Sequence, residues 1–282
     1  MSARSAVASR FEVRFWGVRG TVAVPGPSTV RYGGNTSCVE VVCGGTRLIF
    51  DMGTGLRALG NRLAAQQACE AHLLLTHTHL DHIVGFPFFK PAYATCNRFE
   101  LWAGHLRPQG LDLKGTLASL MSQPLFPVPL GLMHANPTFH DVCAGDVLSL
   151  GPDVTVRTAA LKHPGGATGY RVEHAGKVFC MITDTEHEPG RPDHNVLALI
   201  DGADLVVYDS TYTDAELATY VGWGHSTWEE GVRLCRSAGA KRLLAFHHDP
   251  EREDDVLDRI GLALEQALPG SLVAAEGLVL RL

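Results

Sequence analysis

From its start the chain alternates short apolar runs with Gly- and Pro-rich breaks, the pattern of strands joined by tight turns. Residues 13–16 (VRFW), 38–43 (CVEVVC) and 47–51 (RLIFD) are β-rich. Helical spacing appears over 55–68, and a strand at 72–76 then runs directly into a group of histidines. LDHIVGFPFF, from Leu80, opens another short helix. Between 104 and 140 the pattern degrades into Pro-, Leu- and Phe-containing pieces around one helical stretch, 113–122, and is read as an inserted lid. Strands resume at 154–158, 170–173, 178–182, 205–208 and 243–246, interleaved with helices at 195–199, 227–237 and 254–267. Ser226-Thr227-Trp228-Glu229 has the S-x-x-E capping-box form, which starts a helix immediately after His225. The fold class is α/β with mixed sheets.

Length and composition narrow this picture. With 282 residues, 45% of them hydrophobic, the chain can bury a large core, and one domain over 11–282 is expected behind a flexible tail at 1–10. That tail is Ser-, Ala- and Arg-rich and lacks an apolar stretch, and no segment approaches the roughly 20 apolar residues of a membrane span. Lys and Arg total 24 against 30 Asp and Glu, a formal charge of −6, which excludes a broad surface for polyanions. The seven cysteines are odd in number with no C-x-x-C pair, the usage of buried free thiols in a reducing cytoplasm. A cytoplasmic protein is expected, and homodimerisation is left open.

The chemistry centres on Thr76-His77-Thr78-His79-Leu80-Asp81-His82, an H-x-H-x-D-H run where a strand gives way to a helix. His77 and His79, two apart, can converge on one metal. Asp81 and His82, on the next turn, can face a second beside it. Imidazole and carboxylate together suit zinc, and also manganese or iron.

This motif resembles that of the metallo-β-lactamase-fold hydrolases, and the resemblance covers nearly the whole chain. It implies a four-layer αββα sandwich with two mixed β-sheets and a site for two divalent metal ions at the sheet edges. It further implies that His163 (LKHPGG) completes the first metal's ligands, that Asp184 (MITDTE) bridges, and that His247 (LLAFHHDP) completes the second. Asp51, closing RLIFDMGTG, is implied to orient histidines rather than to bind metal. His248 adjoins His247, and His247 is preferred because it directly follows the run 243–246. The histidines at 72, 105, 134, 140, 174, 187 and 194 match no motif and are read as surface or capping residues.

Gly224-His225-Ser226-Thr227 lies 22 residues before His247, and this GHST element resembles the branch that contains ribonuclease Z and class II cyclic-nucleotide phosphodiesterases. In that branch the His sits near the leaving group. Asp81, His225 and Asp209 (VVYDST) are the catalytic candidates, with Asp209 orienting His225 as a proton relay; the plain alternative for His225 is a helix cap. Asn35 and Thr36, in the turn 33–37, together with Arg19 and Arg31, are candidate phosphate contacts, although a hairpin turn and solvated arginines fit equally. The expected substrate is a small phosphodiester or cyclic nucleotide, because the 104–140 segment offers only Arg107 and Lys114 as bases, too few for a long nucleic acid. Acyl hydrolysis on the same metal cradle is the alternative enzyme, and a non-catalytic metal-binding sensor the alternative class.

Overall fold

The structure is a computed structural model that describes residues 9–66 and 68–282. The expected tail at 1–10 therefore lies almost wholly outside the described residues.

Two seven-stranded sheets form the centre. Sheet one contains β1 (Phe11–Gly17), β2 (Cys38–Cys43), β3 (Thr46–Phe50), β4 (Glu70–Leu75), β5 (Arg98–Ala103), β6 (Thr138–Asp141) and β14 (Val279–Arg281), in the order β14-β1-β2-β3-β4-β5-β6. Sheet two contains β7 (Val147–Gly151), β8 (Val154–Leu161), β9 (Ala167–His174), β10 (Lys177–Ile182), β11 (Leu205–Asp209), β12 (Leu243–Phe246) and β13 (Leu272–Val273), in the order β13-β12-β11-β10-β9-β8-β7. Both are mixed: β3 to β6 run parallel in one, and β10 to β13 in the other. The helices are α1 (Gly55–Leu63), α2 (Leu80–Ile83), α3 (Leu113–Leu120), α4 (His194–Ile200), α5 (Asp214–Leu217), α6 (Trp228–Ser237) and α7 (Asp254–Ala267).

Three cores separate four layers. Phe15, Val41, Phe50, Phe179 and Phe246 pack between the sheets. Ile49, Leu73 and Leu101 face outward from sheet one onto Leu56 and Leu59 of α1 and Leu117 of α3. Val206 and Ala245 face outward from sheet two onto α4, α6 and α7. Central strands therefore read as unbroken apolar runs, since Leu74 serves the inner core while Leu73 and Leu75 serve the outer one. A one-residue slip of β4 would exchange these faces, so its register is fixed, and with it the position of the histidines that follow.

Four expectations change. Residues of the 104–140 segment, among them Leu106, Leu113, Leu117, Met121 and Met133, are buried in the core beneath sheet one. Strands β5, β6, β7, β13 and β14 are additional to those expected; β5 carries Arg98 and Glu100 and β6 is only half buried, so neither shows a clean apolar run, and β13 and β14 are only two and three residues long. The cap of α6 is Thr227, whose hydroxyl accepts from the Glu230 N–H at 3.1 Å, because the Ser226 hydroxyl is already engaged by His187 and Tyr208. All seven cysteines are free thiols, and Cys96 and Cys143 are exposed rather than buried. Among the described residues, no helix is long and apolar enough to cross a membrane.

Candidate metal centre

The carboxyl ends of the parallel strands in both sheets open onto one cleft. Asp51 follows β3, His77 follows β4, Asp184 follows β10, Asp209 ends β11, and His247 follows β12. Asp51, Asp184 and His247 have φ of 60°, 59° and 62°. That left-handed backbone costs a side-chain-bearing residue on the order of 1–3 kcal/mol, and it persists where the surroundings hold it in place for function.

Two triads converge. The ligand atoms of His77, His79 and His163 lie within 4.8 Å of one another, and so do those of Asp81, His82 and His247; two overlapping sets, His77, His82 and Asp184, and Asp184, Asp209, His225 and His247, are as close. Asp184 stands between the triads. Its Oδ1 is 3.7 Å from His77 Nε2, 3.8 Å from His163 Nε2 and 3.4 Å from His247 Nε2, while Oδ2 is 3.3 Å from His82 Nε2.

The hydrogen bonds behind each ring decide which nitrogen faces the cleft. His163 Nδ1 donates to the Gly224 carbonyl at 2.8 Å, leaving Nε2 as a lone pair 3.1 Å from His79 Nδ1. His82 Nδ1 is 2.8 Å from Asp51 Oδ2, and His247 Nδ1 is 3.1 Å from the Thr211 hydroxyl. The Nε2 atoms of His82 and His247 then face each other at 3.3 Å. His77 Nε2 is buried and has no hydrogen-bond partner. Nitrogens sharing one tetrahedral ion lie about 3.3 Å apart, given metal–nitrogen bonds near 2.0–2.1 Å. The donor set and its spacing fit two divalent ions.

Electrostatics agree. Burial opposes charging of His82, but Asp81, Asp184 and Asp51 outweigh it and hold its pKa well above 6.5. Burial likewise opposes ionisation of Asp81, yet His82 and His247 keep its pKa below the usual carboxylate range. A field that retains a proton on a buried imidazole also attracts a divalent ion, so binding of the ion releases protons.

His225 sits beside the shared carboxylate, but its Nδ1 is turned to Asp209 Oδ2 at 2.9 Å. Asp209 can do little else, because it also accepts from the N–H groups of Asp184, Thr211 and Ser226 and from the Thr211 hydroxyl. Burial works against the charged form of His225, and Asp209 and Asp184 overcome it, raising the pKa to about 9. A protonated ring thus presents Nε2 to the cleft.

Four expected phosphate contacts are not brought to this cluster. Arg19 is fully buried, and its guanidinium donates to the carbonyls of Gly33, Asp249 and Arg252. Arg31 is paired with Asp254, Asp255 and Asp258 around the start of α7. Asn35 is bound through both its backbone and side-chain N–H groups to Glu276. Thr36 exchanges backbone and hydroxyl hydrogen bonds with Thr54. The turn at 33–37 is thus a structural junction. His248 is also turned away: burial lowers its pKa to about 3, and its ring donates to the Ala274 carbonyl at 2.8 Å. His105, His174 and His187 are buried rather than on the surface.

Several contributors carried no signal in the sequence. Ser37 donates to Asp51 Oδ2, and the Thr21 N–H donates to Asp81 Oδ2 at 2.8 Å. Gly224 has φ of 86°, and a Cβ there would lie 2.3 Å from His163 Nδ1. The Glu186 carboxylate accepts from the N–H groups of Gly222 and Gly224, pinning the loop that delivers His225.

Two sheets meeting at a shared-carboxylate cluster define a class, and the chain belongs to it: the metallo-β-lactamase-fold metallohydrolases, with the "Beta-lactamase superfamily domain" model matching residues 46–248. Within that class its sequence is similar to ribonuclease Z of Haloarcula marismortui, 27% identical over 311 residues and covering 94% of each chain. Its fold is similar to the metallo-β-lactamase fold protein YhfI of Bacillus subtilis, with a TM-score of 0.71 at 16% identity over 97% of this chain and 99% of that one. A diphosphatase of the PhnP family is equally similar in fold, with a TM-score of 0.71 at 18% identity and 97% coverage of each chain.

Proposed function

We propose that the protein is a dinuclear metal-dependent phosphodiesterase acting on a small phosphodiester or cyclic nucleotide, with zinc as the metal best suited to the ligands and manganese or iron as alternatives. One observation carries this reading. His225 is oriented by Asp209 at 2.9 Å and stands beside, rather than in, the two triads that share Asp184.

When bound, two divalent ions would supply Lewis acidity and lower the pKa of water to about 7. The chain's residues do the rest. His77, His79 and His163 would hold one ion, Asp81, His82 and His247 the other, and Asp184 both. Asp51, Thr211 and the Gly224 carbonyl keep the His82, His247 and His163 rings in the tautomers that binding needs. His225, protonated at Nε2, donates a proton to the oxygen that leaves phosphorus, and Asp209 stabilises the charged ring before that transfer.

An acyl transfer whose leaving group is a thiolate needs no such acid. The relationship to ribonuclease Z favours RNA as a second reading of the substrate, while the formal charge of −6 favours a small one. The test is a panel on metal-reconstituted protein: bis(p-nitrophenyl) phosphate, cyclic mono- and dinucleotides, a precursor tRNA, nitrocefin and S-lactoylglutathione. Turnover of the phosphodiesters with little or none of the last two is expected. The reverse ranking places the protein among acyl hydrolases.

A further inference from the structure

The loop that delivers His225 carries an aromatic series that metal binding and proton transfer leave unused. Tyr212 and Tyr220 are stacked, with ring centroids 4.3 Å apart and planes 4° apart. Trp223 sets its ring edge-on to Tyr220 at 5.4 Å and 77°, and at the other end Tyr212 is edge-on to His225 at 6.0 Å. The series thus runs from the catalytic imidazole outward to an indole that is 63% exposed.

Exposure of an indole is costly in water, and here the loop does not let it turn inward. The backbone N–H of Trp223 donates to the Tyr220 carbonyl at 3.1 Å, its neighbours Gly222 and Gly224 both donate to Glu186, and its ring rests edge-on against Tyr220. The ring is therefore presented in advance of binding, which limits the ordering cost of any ligand it meets. Its place relative to the site follows from the chain. Residues 223 and 225 are separated by at most about 7 Å of backbone, and the ring series links the indole through Tyr220 and Tyr212 to His225.

The facing rim is apolar as well. Leu80, 67% exposed, directly follows His79, and Trp223 directly precedes Gly224, whose carbonyl holds His163. The ring nitrogens of His79 and His163 are 3.1 Å apart, so both exposed side chains are rooted on segments that meet over the same candidate metal position. An exposed leucine and an exposed indole rooted beside the metal cluster suit a substrate with a charged phosphate and a flat, apolar-faced group beyond it.

We infer that Trp223 is a specificity-determining residue that stacks on a nucleobase in the leaving-group half of the substrate. The inference rests on the phosphodiesterase reading and narrows it to nucleotide substrates. Base stacking on an aromatic side chain changes affinity by roughly 5- to 150-fold.

The test uses metal-loaded full-length protein and compares, by calorimetry, the affinities of adenosine 5′-monophosphate and ribose 5-phosphate. In the wild type the nucleotide should bind about 10-fold tighter or more. Trp223→Ala should bring the ratio close to one, and Trp223→Phe should keep most of it. Equal affinities in the wild type, or a ratio that survives Trp223→Ala, overturn the inference, as does equal weakening of both ligands. Trp223-dependent preference for the nucleotide without turnover of any phosphodiester would leave the inference standing and remove the catalytic reading. Turnover without the preference would do the opposite.

Discussion

Replacing His225 by Ala separates proton delivery from metal binding, and the structure sets the size of the effect. The ring's Nδ1 is engaged by Asp209 at 2.9 Å, which takes that nitrogen away from an ion although His225 lies within reach of Asp184 and His247, so the variant should keep its metal content. In the metal-free protein Asp209 and Asp184 raise the ring's pKa to about 9, and the direct Asp209 contact continues to favour the charged form that gives a proton to a poor alkoxide leaving group. General acid catalysis of this kind contributes about 10²- to 10⁴-fold, or about 3 to 5 kcal/mol of barrier. His225→Ala should lose that factor in kcat on a dialkyl or cyclic-nucleotide phosphodiester. With p-nitrophenolate, which departs unprotonated, the loss should be below about 10-fold. Asp209→Asn should show a milder form, with the alkaline limb of the pH–rate profile moved to lower pH, because the charge that raises the His225 pKa is gone. Steady-state kinetics on both substrates, with elemental analysis of each variant, gives the answer. Loss of metal from His225→Ala would make His225 a ligand. Equal slowing on both substrates with metal retained would refute the proton-transfer role.

Gly224→Ala should impair metal binding without touching a ligand, because its Cβ would meet His163 Nδ1 at 2.3 Å and its φ of 86° disfavours any side chain; isothermal titration with zinc should show the His163 position weakened by 10-fold or more. Metal-free protein should be most stable near pH 6.5. His225 has a raised folded pKa of about 9, so its contribution is complete below about pH 6.5 and fades as pH rises through 9. His248, neutral and buried, has a folded pKa of about 3, so its contribution is complete above about pH 6.5 and is lost as pH falls toward 3. Each of these two groups adds at most about 1.4 kcal/mol per pH unit to its limb; His105, with a pKa lowered to about 4, steepens the acid limb and His82, with a raised pKa, the alkaline one, and Asp209→Asn should flatten the alkaline limb in chemical denaturation.

Much of the site is legible in the sequence because its residues sit where apolar strands end. The runs at 47–51, 178–182 and 243–246 are buried on both faces, so they stand out, and a polar residue closing each of them stands out too. The choice of His247 over His248 follows the same logic, since the residue directly after the strand is the one the structure turns into the cleft. Arg19, Arg31, Asn35 and Thr36 show where such reading stops. Apart from the Gly33 carbonyl, the partners of Arg19 and Arg31 lie at 249–258, more than 200 residues away, and Asn35 meets Glu276; no local pattern tells a phosphate-facing arginine from one facing carbonyls or carboxylates. Gly224 was inside an element already singled out, yet its task, making room for His163, is set by a residue 61 positions earlier. Strand β5 has the same difficulty, because Arg98 and Glu100 interrupt a run whose burial depends on the 104–140 segment packing beneath it.

The central claim is a dinuclear centre sharing Asp184, and metal content tests it most directly. Protein purified without chelator and analysed by inductively coupled plasma mass spectrometry should carry about two divalent ions per chain, and Asp184→Ala, lacking the carboxylate that reaches both triads, should lose occupancy of both positions rather than one. A wild-type chain that holds at most one ion under zinc, manganese and iron supplementation would contradict the account.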